Sequence, residues 1–334
     1  MTEKYIRIEN IEKVPYLFGE LDCNMNMIEE AFGVSIKNQD EGKIRLSGEA
    51  EDNINKAADT IDYLMNLLKH NEALTEQNIS YAINTINAGK KSELAGLDSD
   101  CICITSRGKP IRAKTFGQKT YVEAIKDNTI TFGVGPAGTG KTFLAVAMAV
   151  TALKNKKASR IILTRPAVEA GEKLGYLPGD LQSKIDPYLR PLYDALYEML
   201  SHEGYAKYAE RNIIEIAPLA YMRGRTLDDA FIILDEAQNT TQAQMKMFLT
   251  RLGFNSKAIV TGDITQIDLP GDAKSGLVEA VKILKNIDDI AVHYFTERDV
   301  VRHRLVQRII KAYDKHEEAR KESQEKRRVN FRRR

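Results

Sequence analysis

Cysteine is scarce in this sequence, which contains Cys23, Cys101 and Cys103. Three cysteines give no disulfide framework, and a Cys-x-Cys pair without a further cysteine or a nearby histidine is a poor metal site. The composition therefore favours reduced thiols, and we expect a cytoplasmic protein.

Long apolar stretches are also missing. The longest, Phe143–Leu153, has about half of the ~20 residues that a transmembrane helix needs. Residues 1–7 carry charges of both signs and lack the apolar core of a secretory signal. We therefore expect no membrane association and no export.

The rest of the composition is that of an ordinary globular protein, with 43% hydrophobic and 29% charged residues in a chain of 334. That length suits one sizeable α/β domain and a smaller one. A collagen, a coiled coil and a wholly disordered chain are excluded.

Charge is spread unevenly along the chain. Residues 1–105 carry ten Lys/Arg against nineteen Asp/Glu, a net charge of −9. Residues 106–314 carry thirty against twenty-four, or +6, and residues 315–334 carry nine against four, or +5. The two halves should have different partners, and a polyanion should prefer the C-terminal half.

Residues 1–88 are typical of a small α+β module. Alternating residues predict strands near Tyr5–Ile8, Val34–Ile36 and Lys43–Leu46, and helical spacing predicts helices over residues 21–32, 49–70 and 72–87. Residues 89–114 are rich in glycine and polar residues, and we interpret them as a linker.

Residues 115–314 have the pattern of a mostly parallel α/β sheet, because short β-branched runs alternate with helical patterns. The predicted strands are 129–132, 160–164, 213–216, 231–234, 258–261 and 290–294. The basic segment 315–334 is predicted to continue a helix and then become disordered.

A P-loop motif, G-x-x-x-x-G-K-[ST], follows the first of these strands and precedes an apolar helix. Its glycines let backbone N–H groups approach phosphate oxygens, Lys141 is positioned for the β- and γ-phosphates, and the Thr142 hydroxyl for Mg²⁺. We expect ATP and Mg²⁺ as ligands of the segment Gly135, Pro136, Ala137, Gly138, Thr139, Gly140, Lys141 and Thr142.

The same glycines also fit G-x-G-x-x-G, the dinucleotide fingerprint, as Gly133–Gly138. That fold requires an acidic residue for the ribose at the end of the next strand, where this chain has Thr164–Pro166. The dinucleotide interpretation fails.

Two further strands end in polar residues expected at the same sheet edge. After Phe231–Leu234, Asp235 is predicted to hold Mg²⁺ through its water shell and Glu236 to activate the attacking water. After Ala258–Thr261, Gln266 or Thr265 is predicted to contact the γ-phosphate or the attacking water and to sense hydrolysis.

Three more residues are candidates for the nucleotide site. Arg302 and Arg304 can neutralise charge that develops on the γ-phosphate, in cis or across a subunit boundary, or form a basic helix face. The amide of Gln118 has the donor and the acceptor needed to bind an adenine edge.

Residues 118–313 closely resemble the PhoH-like proteins, the phosphate-starvation-inducible ATPases. The resemblance rests on five blocks: Thr164–Val168, Gly171–Gly175, Tyr221–Leu227, Leu234–Thr241 and Gly262–Gln266. It implies a P-loop NTPase core similar to the first motor domain of superfamily 1 helicases, with Asp-Glu-Ala-Gln as motif II and Gly-Asp-x-x-Gln as motif III. By this analogy Gln118 is similar to the adenine-reading glutamine of the Q motif.

The resemblance is to the stand-alone, YbeZ-like branch of the family, which lacks a PIN nuclease domain. It implies a role in ribosomal RNA maturation beside a YbeY-type endoribonuclease and ribosomal proteins. Helicase translocation normally uses two motor domains, and this chain has room for one. We therefore expect a homo-oligomer, such as a hexameric ring.

The N-terminal module resembles a KH domain in the order and spacing of its residues. The loop that should read Gly-x-x-Gly is Gly19–Asp22, with two acids and one glycine. The loop and the net charge of −9 weaken the case for RNA binding there, and a protein docking surface is at least as well supported.

The sequence thus leaves two functions open: an ATPase acting on RNA or ribonucleoprotein, with possible helicase activity, and a nucleotide-gated adaptor for a nuclease or ribosomal protein. A small-molecule kinase fits less well, because Asp235 and Glu236 suit water activation. Residues 171–200 form a long insertion that could be an oligomer contact or line an RNA path, with stacking by Tyr176, Tyr188 and Tyr193.

Overall fold

The computed structural model describes residues 2–39, 42–70, 73–95, 97, 101–166, 181–270, 273–301, 305–306, 309 and 312–313, except for the side chains of residues 181–186. The chain divides into two compact units, the first built mainly on residues 1–90 and the second on residues 91–300. Within the described ranges, no helix has both the length and the apolar character required to cross a membrane.

The first unit contains an antiparallel sheet of three strands in the order β1-β3-β2. Its strands are β1 (Thr2–Arg7), β2 (Val34–Gln39) and β3 (Lys43–Gly48), and its helices are α1 (Val14–Phe18), α2 (Cys23–Phe32), α3 (Glu51–Lys69) and α4 (Glu76–Asn87). The α+β class and the three strands predicted from alternation are confirmed.

One face of this sheet forms the core of the first unit. Ile44 and Leu46 of β3 and Ile54, Ile61 and Leu64 of α3 are each no more than 1% exposed. Burying each such side chain contributes about 1.5–3 kcal/mol. The spacing of the α3 residues places them on one side of the helix, so the helix lies on this face of the sheet.

The second unit is an α/β domain with a six-stranded parallel sheet in the order β11-β6-β10-β9-β7-β8. Its elements are α5 (Lys91–Ala95), β4 (Cys103–Ile104), β5 (Pro110–Ile111), α6 (Phe116–Asp127), β6 (Ile130–Val134), α7 (Lys141–Lys154), β7 (Arg160–Arg165), α8 (Leu181–Leu200), α9 (His202–Glu210), β8 (Ile214–Pro218), β9 (Ala230–Leu234), α10 (Gln242–Leu249), β10 (Lys257–Gly262), α11 (Gly276–Leu284) and β11 (Ile290–Tyr294). The mostly parallel sheet is confirmed, and each of its six strands was predicted.

Both faces of this sheet are buried. On β9, Phe231 and Ile233 belong to the core on one face, while Ile232 and Leu234 belong to the core on the other. A strand covered on both faces needs apolar residues at every position, which explains the continuous run in its sequence. The result is a three-layer domain in which the carboxyl ends of the strands form one edge.

Residues 89–114, interpreted from the sequence as a linker, contain a hairpin that packs in the core. Strands β4 and β5 pair as an antiparallel hairpin, and Ile102, Cys103 and Ile111 are buried in the same core as α7. The Thr151 hydroxyl of α7 donates to the carbonyl of Ile102 at 2.7 Å. Isolated apolar residues among polar ones give no periodic signal, so the sequence pattern did not reveal this packing.

Candidate functional site

The P-loop joins β6 to α7 and surrounds the amino end of that helix. Gly138 and Gly140 have φ angles of 86° and 81°, in the left-handed region that a side chain would strain. A Cβ on Gly140, which caps α7, would also lie 3.2 Å from the Gln118 amide nitrogen. The turn therefore requires its glycines, and the helix amino end attracts an anion.

Lys141 is the first residue of α7, and its ammonium group reaches back across the loop. Its Nζ donates to the carbonyl oxygens of Gly135 at 2.6 Å and Pro136 at 2.8 Å, and the residue is 8% exposed. A cation held over the loop is placed to donate to phosphate oxygens. The geometry supports the predicted phosphate contact.

Asp235 follows β9 and is 4% exposed. Its Oδ1 accepts from the Thr142 hydroxyl at 2.6 Å and from the Thr261 hydroxyl at 2.8 Å. These bonds join the P-loop helix to β9 and β10, although β10 separates β9 from β6 in the sheet. A carboxylate and a hydroxyl oxygen this close are positioned together for one ligand.

That oxygen pair fits Mg²⁺, which prefers oxygen ligands and keeps several waters when bound by one or two protein groups and substrate phosphates. Thr142 and Asp235 would hold the ion directly or through water. In the described part of the chain, no group of three or more His, Cys, Asp and Glu side chains could hold a metal ion.

Glu236 is held at both carboxylate oxygens. Oε1 accepts from Arg165 Nη2 at 2.8 Å, and Oε2 accepts from Gln238 Nε2 at 2.5 Å, while the side chain is 38% exposed. The residue has φ 52°, a left-handed conformation that costs a non-glycine residue about 1–3 kcal/mol. This combination of a strained backbone, a fixed side chain and access to solvent suits a group that accepts a proton from water.

Arg165, the last residue of β7, was not assigned a role from the sequence. Besides its bond to Glu236, its Nε lies 3.4 Å from Asp235 Oδ2, and Nη1 donates to the Tyr188 carbonyl of α8. The guanidinium therefore positions both acidic side chains. A signal existed in the sequence, since Arg165 stands two residues after the apolar run Ile161–Leu163, at the same sheet edge.

Replacing Arg165 with alanine is expected to lower kcat for ATP hydrolysis at least tenfold and to leave ATP affinity nearly unchanged. Glu236 would lose its charged anchor, and small misplacements of a catalytic group cost up to about a hundredfold in rate. Steady-state kinetics would separate kcat from KM, and Arg165→Lys should restore part of kcat.

The matched control for this variant is Arg225→Ala, because Arg225 makes a two-pronged pair with Glu215 at 2.6 and 2.7 Å. Both variants lose an Arg–Glu pair, but Glu215 has no part in the site. Equal losses of kcat in the two variants would contradict a positioning role for Arg165.

Asp263 follows β10 and connects its loop to the P-loop. Oδ2 accepts from the Ala137 amide at 3.1 Å and from Gln266 Nε2 at 2.7 Å. The fully buried Gln238 completes the connection, since its Oε1 accepts from the Asp263 amide and its Nε2 donates to the Gln266 carbonyl. Glu236, Gln266 and the P-loop thus share one hydrogen-bond network, in which Asp263 and Gln238 had no predicted role.

Gln118 lies against the P-loop and is 5% exposed. Its Nε2 donates to the Thr139 carbonyl at 3.0 Å, and its Oε1 accepts from the Lys114 amide at 2.7 Å. The amide therefore supports the loop from behind. Contact with an adenine would need the side chain to move or to use its second donor or acceptor site, so the adenine role stays a prediction.

The Tyr121 ring lies behind the start of the P-loop, beside the partly buried ring of His293. Tyr121 is fully buried, its hydroxyl has no hydrogen-bond partner among the described residues, and burial together with the Asp235 charge raises the pKa of this phenol. Burial also lowers the pKa of His293, opposed by the Asp299 charge and a hydrogen bond with Gly117. A Cβ on Gly133 would lie 2.7 Å from the Tyr121 ring, so this packing fixes β6.

The remaining predictions concern Arg302, Arg304 and the three tyrosines of the insertion. Arg302, Arg304 and Tyr176 fall outside the described residues. The Tyr193 ring is partly buried and packs against Tyr197 at 6.1 Å and Tyr205 at 5.7 Å, so it is engaged within the protein. Tyr188 is 36% exposed. The stacking role of the insertion stays a prediction.

Comparisons of sequence identify one family. A family model described as PhoH-like protein matches residues 110–314. A PhoH-like protein of Bacillus subtilis (strain 168) is 52% identical over 322 residues, covering 94% of this chain and 99% of its own length. Protein PhoH of Escherichia coli (strain K12) is 46% identical over 224 residues, covering 66% and 63%. A solved Sulfolobus solfataricus SWI2/SNF2 ATPase core in complex with dsDNA is similar with a TM-score of 0.31 and 19% identity, covering 44% of this chain and 30% of that chain, a likeness too low to support an argument.

Proposed function

The chain belongs to the PhoH-like protein family, and on that premise we propose that it binds and hydrolyses ATP and couples turnover to work on RNA or ribonucleoprotein. The observation that supports this most is the Thr142–Asp235 bond of 2.6 Å, which brings the P-loop helix and the acidic end of β9 together. Phosphate binding and water activation need those two segments side by side.

In the proposed reaction, the P-loop amides and Lys141 bind the β- and γ-phosphates. Mg²⁺, held by Thr142 and Asp235, would supply positive charge to the phosphate oxygens. Glu236 orients the attacking water and accepts its proton, and Arg165 and Gln238 keep the carboxylate in place. Phosphoryl transfer depends mainly on such positioning and charge stabilisation.

The loop after β10 is placed to respond to the γ-phosphate. Asp263 binds the Ala137 amide within the P-loop, and Gln266 binds Asp263. Loss of the γ-phosphate would change the P-loop and therefore this loop, in the manner of phosphate-sensing switches. We propose that Arg302 or Arg304 completes the charge around the γ-phosphate.

RNA is the proposed substrate because residues 106–314 carry a net charge of +6 and because motif III resembles that of helicases. We propose a homo-oligomer, since helicase-like motors work in pairs of domains. We also propose that the protein is cytoplasmic. A YbeY-type endoribonuclease and ribosomal proteins are the proposed partners, on the strength of the resemblance to the stand-alone branch.

Saturating single-stranded RNA is expected to raise the kcat for ATP severalfold, because coupling requires the two ligands to affect each other. The measurement is steady-state ATP turnover with and without an oligouridine strand. Heparin at the same charge concentration is the control, since it is a polyanion without bases.

The other results lead to other functions. Turnover that RNA leaves unchanged would favour the nucleotide-gated adaptor over an RNA-coupled ATPase. Equal stimulation by heparin would show a response to charge alone. No turnover under any condition would contradict the hydrolytic function itself.

A further inference from the structure

The sheet of the first unit has one face covered by helices, and on its other face most of the described side chains are exposed. Pairing places Tyr5 opposite Arg45 and Arg45 opposite Lys37, and it places Arg7 opposite Lys43. Residues paired across strands point to the same side of a sheet. Since Ile44 and Leu46 point to the helices, these five side chains lie on the opposite face, which we call the open face.

The open face is basic although the region around it is acidic. It carries four cationic side chains, Arg7, Lys37, Lys43 and Arg45, and one acidic side chain, Glu3, for a net charge of +3. Glu3 is also the one acidic residue in the three strands. The net charge of −9 over residues 1–105 therefore comes from other parts of the region.

The cations lie beside an exposed aromatic ring on the edge strand β1. Tyr5 is 54% exposed, and its hydroxyl donates to Glu3 Oε2 at 2.9 Å. Glu3 Oε1 lies 3.6 Å from Arg45 Nη1. The acid thus orients the ring and the guanidinium, and the side chains of Arg7, Lys37 and Lys43 on the same face are exposed.

The spacing of these groups suits a polyanionic strand. Neighbouring strands are about 4.8 Å apart, and every second residue along a strand is about 7 Å from the last. The cations therefore lie in two adjacent rows across the strands. One row contains Arg7 and Lys43, and the other contains Arg45, Lys37 and the Tyr5 ring. Proteins that bind single-stranded nucleic acid combine such a charged track with an aromatic ring on which a base stacks.

We propose that the open face binds single-stranded nucleic acid, with phosphates on Arg7, Lys37 and Lys43 and a base stacked on Tyr5. A double helix fits less well, because its bases are already stacked on each other. The loop expected to bind RNA by the KH resemblance is a poorer site, because Glu20 and Asp22 would repel phosphates. This binding does not depend on the proposed ATP turnover.

The charge test uses the full-length protein and a short fluorescein-labelled oligouridine, with anisotropy measured at several salt concentrations and without ATP. Arg7→Gln/Lys43→Gln should weaken binding on the order of tenfold and reduce the salt slope by about 1.4, since each phosphate contact on a single strand contributes about 0.7. Lys56→Gln/Lys69→Gln is the matched control, with the same charge change on α3, and should bind as the wild type does.

The ring test compares two exposed tyrosines of the same unit. Tyr5→Ala should weaken binding about tenfold, because one stacked base contributes about 1–3 kcal/mol. Tyr5→Phe should bind nearly as the wild type does. Tyr16, on α1, is 69% exposed, and Tyr16→Ala should have no effect.

Three results would overturn the proposal. Equal losses in the two double variants would show a response to net charge alone. A larger loss in Tyr16→Ala than in Tyr5→Ala would place the RNA on the helix side. Displacement of RNA by polyglutamate equally well from wild type and Tyr5→Ala would indicate a surface for acidic proteins.

The same preparations separate this inference from the proposed function. Basal ATP turnover without RNA should be equal in wild type and Tyr5→Ala. Tyr5-dependent RNA binding in a protein that hydrolyses no ATP would support the open face and contradict the proposed function. RNA-stimulated turnover that no open-face variant changes would support the proposed function and contradict RNA binding by the open face.

Discussion

Replacing Glu236 with glutamine is expected to lower ATP turnover by about two to four orders of magnitude while ATP still binds. General base catalysis contributes about a hundredfold to ten-thousandfold, and an amide cannot accept the proton. The P-loop, Lys141 and Asp235 remain in place, so the affinity should change little. Single-turnover hydrolysis and binding of a fluorescent ATP analogue would measure the two effects separately.

The surroundings of Glu236 sharpen this prediction. Its oxygens accept from Arg165 and from Gln238, and a glutamine could accept from one of them while presenting its NH₂ to the other. Gln238 cannot rotate freely, because its Oε1 binds the Asp263 amide. Some loss of order in the loop after β10 should therefore accompany the loss of rate.

Glu215→Gln is the matched control, because Glu215 also pairs with an arginine but lies on β8, outside the site. It should retain full turnover. A Glu236→Gln variant that turns over at the wild-type rate would remove Glu236 from its assigned role. A variant that no longer binds ATP would mean that Glu236 supports the site rather than the chemistry.

Replacing Lys141 with alanine is expected to weaken ATP binding by about tenfold to a hundredfold. The ammonium group can make charge-assisted hydrogen bonds to phosphate oxygens, each worth about 1.5–3 kcal/mol. In the structure its Nζ bridges two P-loop carbonyls, so the loop would also lose a support. Titration with a fluorescent ATP analogue would give the dissociation constants.

Lys154→Ala is the matched control, since Lys154 ends the same helix and is exposed. It should bind ATP as the wild type does, and thermal unfolding should show both variants folded. An unchanged ATP affinity in Lys141→Ala would contradict the phosphate role. A folded Lys154→Ala with equal loss would point to an effect of charge on α7 as a whole.

Much of the second unit follows from local sequence. The strands of the parallel sheet were predicted because buried strands need nearly continuous apolar runs, and the P-loop because its glycines, Lys141 and Thr142 stand at fixed spacing between a strand and a helix. Such signals are short-range, so they are visible before the chain folds. The interpretation of residues 89–114 as a linker missed the hairpin β4–β5, because the apolar residues of the hairpin show no period.

Pairings between strands distant in sequence could not be predicted in the same way. Arg165, Glu236, Gln238 and Asp263 come from three strand ends, and they meet because the sheet places β7, β9 and β10 side by side. The sequence shows that each strand ends in polar groups. It does not show which donor finds which acceptor, because that depends on sheet order and on rotamers.

By itself, then, the sequence determined the α/β class, the P-loop and the acidic pair after β9, since each is written in contiguous residues. The tertiary structure decided how the groups combine. Arg165 became the anchor of Glu236, Gln118 became a support for the P-loop, and a region with a net charge of −9 acquired a basic face. Net charge is a sum over residues, whereas a binding surface depends on which face of the sheet each side chain lies on. The register of strand pairing determines that face.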